Sequence, residues 1–215
     1  MYTIGIINIL LNIPIQSDVW GPSPTKTLSG KSYYISFTDN KTHYTCTYLL
    51  AHKGEVLQAY LTFKAWSGTQ HSAKIKVLHS NHGGKYLSWK FSDHLASQGT
   101  VLRLTFHDSP HKNGVAERLN RTLLEWVHAM LHTSRLPDRL WGEALQHTVW
   151  LKNQLSTKAL RDITPYEILT KSKPCLADQH VWGQKVWVHN PNNSKLGRRA
   201  KEGQWMGFDT ESCAS

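Results

Sequence analysis

An α/β fold is what the sequence predicts: a mixed sheet flanked by helices, followed by a small β-rich module. Three observations carry this. A stretch dense in aromatic and β-favouring residues opens the readable part of the chain. Strand-like and helix-like periods then alternate through the middle, as they do in α/β layers. After Lys173 the texture changes to short strand candidates around a polar, basic loop.

IPIQSDVW, starting at Ile13, reads as a strand, GPSPTKTLSG as turns and KSYYISFTDN as a second strand. Pro and Gly punctuate the chain, while β-branched and aromatic side chains suit a half-buried pleated surface. THYTCTYLL offers a third strand, so an antiparallel meander is expected to open the sheet. From Glu55 to Trp66, Val56, Tyr60 and Phe63 fall on one side at helical spacing. AKIKVLH, Ala73 to His79, is a compact strand candidate ending at Ser80 and Asn81, just before the sharp turn that Gly83 and Gly84 permit.

A helix is expected from Trp89 to Ser97, then the strand TVLRLTF and the punctuated loop HDSPHKNG. The longest helical signal runs from Val115 to Leu131, with Ala116, Leu119, Leu123, Val127 and Met130 three or four residues apart and Asn113 as its expected cap. Pro137 ends it. Arg139 to Leu155 repeats the pattern through Leu140, Ala144, Thr148, Leu151 and Leu155, so these two helices are expected to pack together or on the sheet. TPYEIL is a short capped helix, KSKP a linker, and QKVWVH and EGQWMGF are strand candidates around NPNNSKLGRR. The expected organisation is an unassigned segment 1–12, a main domain 13–172 and a second module 173–215.

Composition narrows the function class. With 25 Lys+Arg against 15 Asp+Glu, the formal net charge is +10, which favours polyanionic partners, nucleic acid first. Cys46, Cys175 and Cys213 are far apart and odd in number, so neither a disulfide framework nor a Cys-based zinc finger is expected, and a reducing intracellular compartment fits. The apolar run from Met1 to Ile15 lacks a preceding basic residue and a small-x-small cleavage site, and it is too short to span a bilayer; neither export nor a membrane partner is expected.

SPHKNGVAERLNRTL, from Ser109 to Leu123, closely resembles the signature around the catalytic glutamate of the integrase cores of copia-type LTR retrotransposons. SDVWGP at Ser17 to Pro22 resembles that family's first catalytic strand, and GKSYYISFTDNKTHYT the two strands after it. TPYEILTKSKP and KLGRRAKEGQWMGFD resemble the family's segments downstream of the core, so the resemblance runs from about Ile13 onward in family order. It implies an RNase H-like fold with a five-stranded mixed sheet flanked by helices, followed by part of an SH3-like β module. The implied function is DNA integration, in which two Mg²⁺ or Mn²⁺ ions assist strand transfer. Hard cations take oxygen ligands, which is why clustered carboxylates are needed.

Carried over residue by residue, the resemblance makes Asp18 the first catalytic and metal-binding acid and Glu117 the third. The second acid should stand in Ser-Asp-Asn-Gly-Gly-Glu-Tyr, but Ser80 is followed here by Asn81, and Lys85 replaces the family's glutamate. Asn81 retains an oxygen ligand but not the charge, so an impaired, degenerate site is expected. Asp39 is read as structural and Asp93 as solvent-facing. His79, His82, His107 and His111 make a transition-metal site a minor alternative.

Lys112, Asn113, Arg118 and Arg121 are the nucleic-acid-binding candidates, since phosphate contacts position DNA without reading its sequence. Arg198, Arg199 and Lys201 form a second basic group that a solvated charge run explains equally well. The partners implied are element ends and target DNA, with RNA as a second candidate, and a homo-oligomer if the chain is active. Nuclear residence follows from the substrate. The competing reading is a non-catalytic nucleic-acid-binding relic or recruited module. A third is an RNase H-like nuclease, because fold alone does not settle function.

Overall fold

The computed structural model describes residues 14–71, 74–81, 88–105, 110–177, 179–189 and 200–207, with the backbone alone at 81, 105 and 110–113. Three strands open the fold: β1 (Ile15–Trp20), β2 (Tyr33–Asp39) and β3 (Thr45–Leu50). Next come α1 (Val56–His71), β4 (Val77–Asn81), α2 (Trp89–Ser97) and β5 (Val101–Thr105). The long helix α3 (Pro110–Ser134), α4 (Trp141–Gln154) and the short α5 (Pro165–Thr170) lead to the ribbon β6 (Lys185–His189) and β7 (Ala200–Gln204).

The sheet order is β3-β2-β1-β4-β5. The first three strands pair antiparallel, as the meander predicts, while β4 joins β1 in parallel and β5 joins β4 in parallel, with α2 as the crossover. Strand alternation divides the sheet into two unlike faces. One is apolar: Ile15, Ile35, Phe37 and Leu50 pack with Val56, Tyr60 and Phe63 of α1 and Phe91 and Leu95 of α2. Phe37 stacks on Phe63 with ring centroids 4.6 Å apart. On the other face Tyr34 joins Leu123 and Val127 of α3 and Trp141, Leu145 and Val149 of α4. Along that second face the residues alternating with the apolar set are polar: Gln16 and Asp18 on β1, Ser36 and Thr38 on β2, Thr45 and Thr47 on β3.

The edge strand β3 is covered rather than left open, which removes a template for unwanted pairing. Asn153 of α4 accepts from the Thr45 N–H at 3.0 Å and donates to the Thr45 carbonyl at 2.8 Å. At the end of β1, Gly21 holds φ +118, and a Cβ there would lie 2.7 Å from the Ser32 carbonyl oxygen and from Tyr33 Cδ1. Only glycine fits that close approach.

Three local expectations are corrected. Asn113 is not the cap of α3: the helix begins at Pro110, because proline's fixed φ and missing N–H suit a first helical position, and Asn113 lies within the helix. The fourth strand is Val77–Asn81, not Ala73–His79, since its ladder with β5 starts at the pair Val77 and Val101. In α4 the expected Ala144 and Thr148 are fully buried, beside Trp141, Leu145 and Val149, but Leu155 lies beyond the helix end, 43% exposed. The Trp141 indole donates to the Thr25 carbonyl at 2.8 Å. The short helix α5 starts as expected, with Thr164 accepting the Glu167 N–H at 2.9 Å.

Past the boundary expected near Lys173, the described residues contain the antiparallel ribbon β6-β7. Trp182 belongs to the α3-α4 core and donates from Nε1 to the Met206 carbonyl at 3.1 Å. The ribbon is thereby tied to the helices through one buried indole. Among the described residues no helix is long and apolar enough to cross a membrane.

Candidate active site

Asp18 sits at the middle of β1 on the sheet's polar face, and only 8% of it is exposed. A buried carboxylate needs donors. The Val19 N–H donates to Oδ1 at 2.8 Å, and Nδ2 of Asn120 on α3 donates to Oδ2 at 2.9 Å. Asn120 in turn accepts at Oδ1 from the Tyr34 hydroxyl at 3.0 Å. Burial, and secondarily the Asp18 charge, push the Tyr34 phenol well above its ordinary range, so it serves as a neutral donor. The result is a buried relay from β2 through α3 to β1.

Glu117 lies on α3 one helical turn before Asn120, where i and i+3 share a face, and it is solvent-exposed. The relay therefore pins the part of α3 that carries Glu117 against the strand that carries Asp18. On the other side of β1, the parallel register pairs Ser17 with Ser80, so the next step along both strands sets the backbone of residue 81 level with Asp18. The sequence positions expected to supply three acids thus lie on β1, the end of β4 and α3. The side chain of Asn81 falls outside the described atoms, as do those of Lys112 and Asn113 in the first turn of α3.

Arg118 and Arg121 are exposed on α3, one on each side of Asn120 in sequence, and Lys201 is exposed on β7. Lys85, Arg198 and Arg199, and the histidines His82 and His107, lie outside the described residues, and His111 is described in backbone only. Among the described side chains no group of three His, Cys, Asp or Glu could hold a metal ion. Asp39 is structural: buried, its carboxylate accepts from the Thr42 hydroxyl at 2.7 Å and the Lys41 N–H at 3.0 Å, closing the β2-β3 turn. Asp93 is exposed on α2.

Asn120 and Tyr34 are the residues that sequence reasoning missed. A signal for Asn120 existed: it is a polar side chain within the inward stripe that continues through Leu123 and Val127. For Tyr34, nothing in an aromatic run distinguishes a ring whose hydroxyl has a partner from one that only packs.

No family model matches the chain. Over 181 residues, 84% of the chain, it is 32% identical to the Retrovirus-related Pol polyprotein from transposon TNT 1-94 of Nicotiana tabacum, of which it covers 14%. It is 29% identical over 196 residues, 90% of the chain, to the Pol polyprotein from transposon RE2 of Arabidopsis thaliana, covering 13% of that protein. The chain therefore spans about a seventh of the length of these relatives. Among solved structures, the HTLV-2 integrase catalytic core domain in complex with magnesium superposes with a TM-score of 0.56 at 19% identity, over 75% of this chain and 98% of that one. The simian T-cell lymphotropic virus intasome in complex with the PP2A regulatory subunit B56 gamma matches 91% of this chain and 68% of its own, with a TM-score of 0.61 at 18% identity. The fold is that of an integrase catalytic core, RNase H-like, with a mixed five-stranded sheet between helices.

Proposed function

The chain is homologous to a segment of the retrovirus-related Pol polyproteins of plant transposons, and from that premise we propose that it is the DNA-integration segment of such a polyprotein, of the copia type, with a weakened metal site. The observation that carries this reading is the hydrogen bond from Asn120 to Asp18. It couples strand β1 to the helix bearing Glu117, the arrangement that two carboxylates on separate elements require if they are to serve one site.

The donor set fits a divalent cation in part. Asp18 and Glu117 would hold Mg²⁺ or Mn²⁺, whose preference is for carboxylate oxygen, and Asn81 would offer a carbonyl oxygen without charge. When bound, such ions stabilise the attacking and leaving oxygens of a phosphodiester exchange. The chain's own residues do the rest. Asn120 fixes the direction of the Asp18 carboxylate, Tyr34 fixes Asn120, and Arg118, Arg121 and Lys112 are the α3 residues assigned to DNA phosphates. Asn113, in the same turn, is the remaining DNA-contact candidate. Work on two DNA ends calls for a homo-oligomer, a DNA substrate implies nuclear residence, and the ribbon β6-β7 would be part of an SH3-like module.

Asn81 also favours a second reading, in which the chain binds nucleic acid, DNA or RNA, without catalysis. Strand transfer into a supercoiled plasmid, using donor ends from the parent element and Mn²⁺, separates the two. Joining by the wild-type chain that Glu117→Gln abolishes establishes an enzyme. Joining by Asn81→Asp alone locates the defect at that residue. DNA binding with no joining by either leaves the non-catalytic reading.

A further inference from the structure

Beside the Asp18 site, the polar face of the sheet and helices α3 and α4 line a half-open cavity of about 230 Å³. Three basic side chains reach it from three different elements: Lys152 from α4, His43 from the β2-β3 turn and Arg118 from α3. Its other wall is aliphatic, formed by Val115, Ala116 and Leu119, and the hydroxyls of Ser36 and Thr38 edge the floor. Among the described residues no carboxylate lines it.

Lys152 is the unusual member. Its ammonium donates to the His43 carbonyl and, at 2.7 Å, to the Thr45 hydroxyl. Both acceptors are neutral, an ammonium has three donors, and a part-buried cation without a counter-charge among the described residues is costly. Burial pushes this ammonium down to about 8, with the Cys46 thiol of β3 acting weakly in the opposite direction. His43 is lowered by burial and by Lys152, against a smaller opposing pull from Asp39. The remaining cation facing the space, Arg118, adds charge of the same sign. An anion would relieve Lys152 and Arg118.

We propose that this cavity binds a small branched aliphatic carboxylate, with its carboxyl on Lys152 and Arg118 and its alkyl body against Val115, Ala116 and Leu119. A single negative charge matches the part-buried Lys152 ammonium, and the aliphatic wall selects against inorganic anions, which carry nothing to place there. The occupant rests on the turn of α3 next to Glu117. Such a site stands whether or not the chain integrates DNA.

The test is titration of the whole chain with isovalerate and, separately, with its neutral amide, followed by backbone amide resonances. Isovalerate is expected to shift Thr38, His43, Ala116 and Leu119, and the amide to bind about tenfold more weakly or worse, as losing a charge-assisted hydrogen bond in a buried site implies. Lys152→Met is expected to weaken isovalerate by a similar factor while the rest of the spectrum is unchanged. Equal binding of acid and amide, shifts confined to other surface cations, or no shift at all would each overturn the proposal. If Lys152→Met does not fold, the acid-amide comparison on the unmodified chain decides.

Discussion

Asn120 on α3 donates a 2.9 Å hydrogen bond to Oδ2 of Asp18 on β1, across 102 residues of sequence, and it receives one from Tyr34. Deleting the middle of this relay leaves a buried carboxylate and a buried phenol without that partner. Asn120→Leu is expected to cost roughly 2 to 3 kcal/mol, and Tyr34→Phe about 1 kcal/mol. Combined in a double-mutant cycle by urea denaturation, the two should be non-additive, because either one alone breaks the relay. Strict additivity would show that Asn120 holds Asp18 without help from Tyr34.

Asn81→Asp is expected to raise Mg²⁺ or Mn²⁺ affinity by about tenfold or more while leaving the unfolding midpoint of the metal-free chain nearly unchanged. Calorimetric titration of both forms reads this directly. Identical affinities would remove residue 81 from the metal site.

DNA affinity is expected to fall by on the order of a hundredfold over about a fourfold rise in salt, if some four phosphates are contacted and their counterions released. Fluorescence anisotropy with two unrelated duplexes measures the slope. Arg118→Ala and Arg121→Ala should each flatten it by a similar amount on both duplexes, because phosphate contacts carry no sequence information. A slope unaffected by either substitution would move the DNA-binding face away from α3.

His147 of α4 is 4% exposed, its Nδ1 has no hydrogen-bond partner among the described residues, and burial lowers its pKa below the ordinary 6.5. The unfolded chain therefore binds more protons at this site than the folded one between the lowered value and 6.5, and stability falls as pH drops through that window. His43, His71 and His94 are shifted in the same direction. His147→Gln should make thermal stability measurably less acid-sensitive below about pH 6.5, and the effect should be partial because the other three remain. An unchanged pH profile would mean that His147 stays solvated.

Gly21→Ala is expected to destabilise the chain by about 2 kcal/mol or more, since the backbone is in a region that L side chains avoid and the new methyl meets Ser32 and Tyr33. The denaturation midpoint checks it, and a neutral outcome would show that the loop after β1 relaxes freely.

Sequence alone determined the order and type of nearly every element, because periods of two and of three to four residues are local signals that packing here reinforces. The stripe Val56, Tyr60 and Phe63 is buried as spaced, and α2 has the bounds its pattern implies. It also singled out Asp18, Asn81 and Glu117, through a resemblance carried by neighbouring residues rather than by any property of the acids themselves. Helix ends were less legible: at α3, Pro110 starts the helix ahead of Asn113, and α4 stops at Gln154, which leaves Leu155 outside the helix and exposed. What only the tertiary structure decided are the pairings between distant residues. That Asn120 meets Asp18, that Lys152 lies beneath a cavity floored by β2, and that Trp182 joins the α3-α4 core come from how strands alternate and helices cross, a geometry set by the whole core and by no window of sequence.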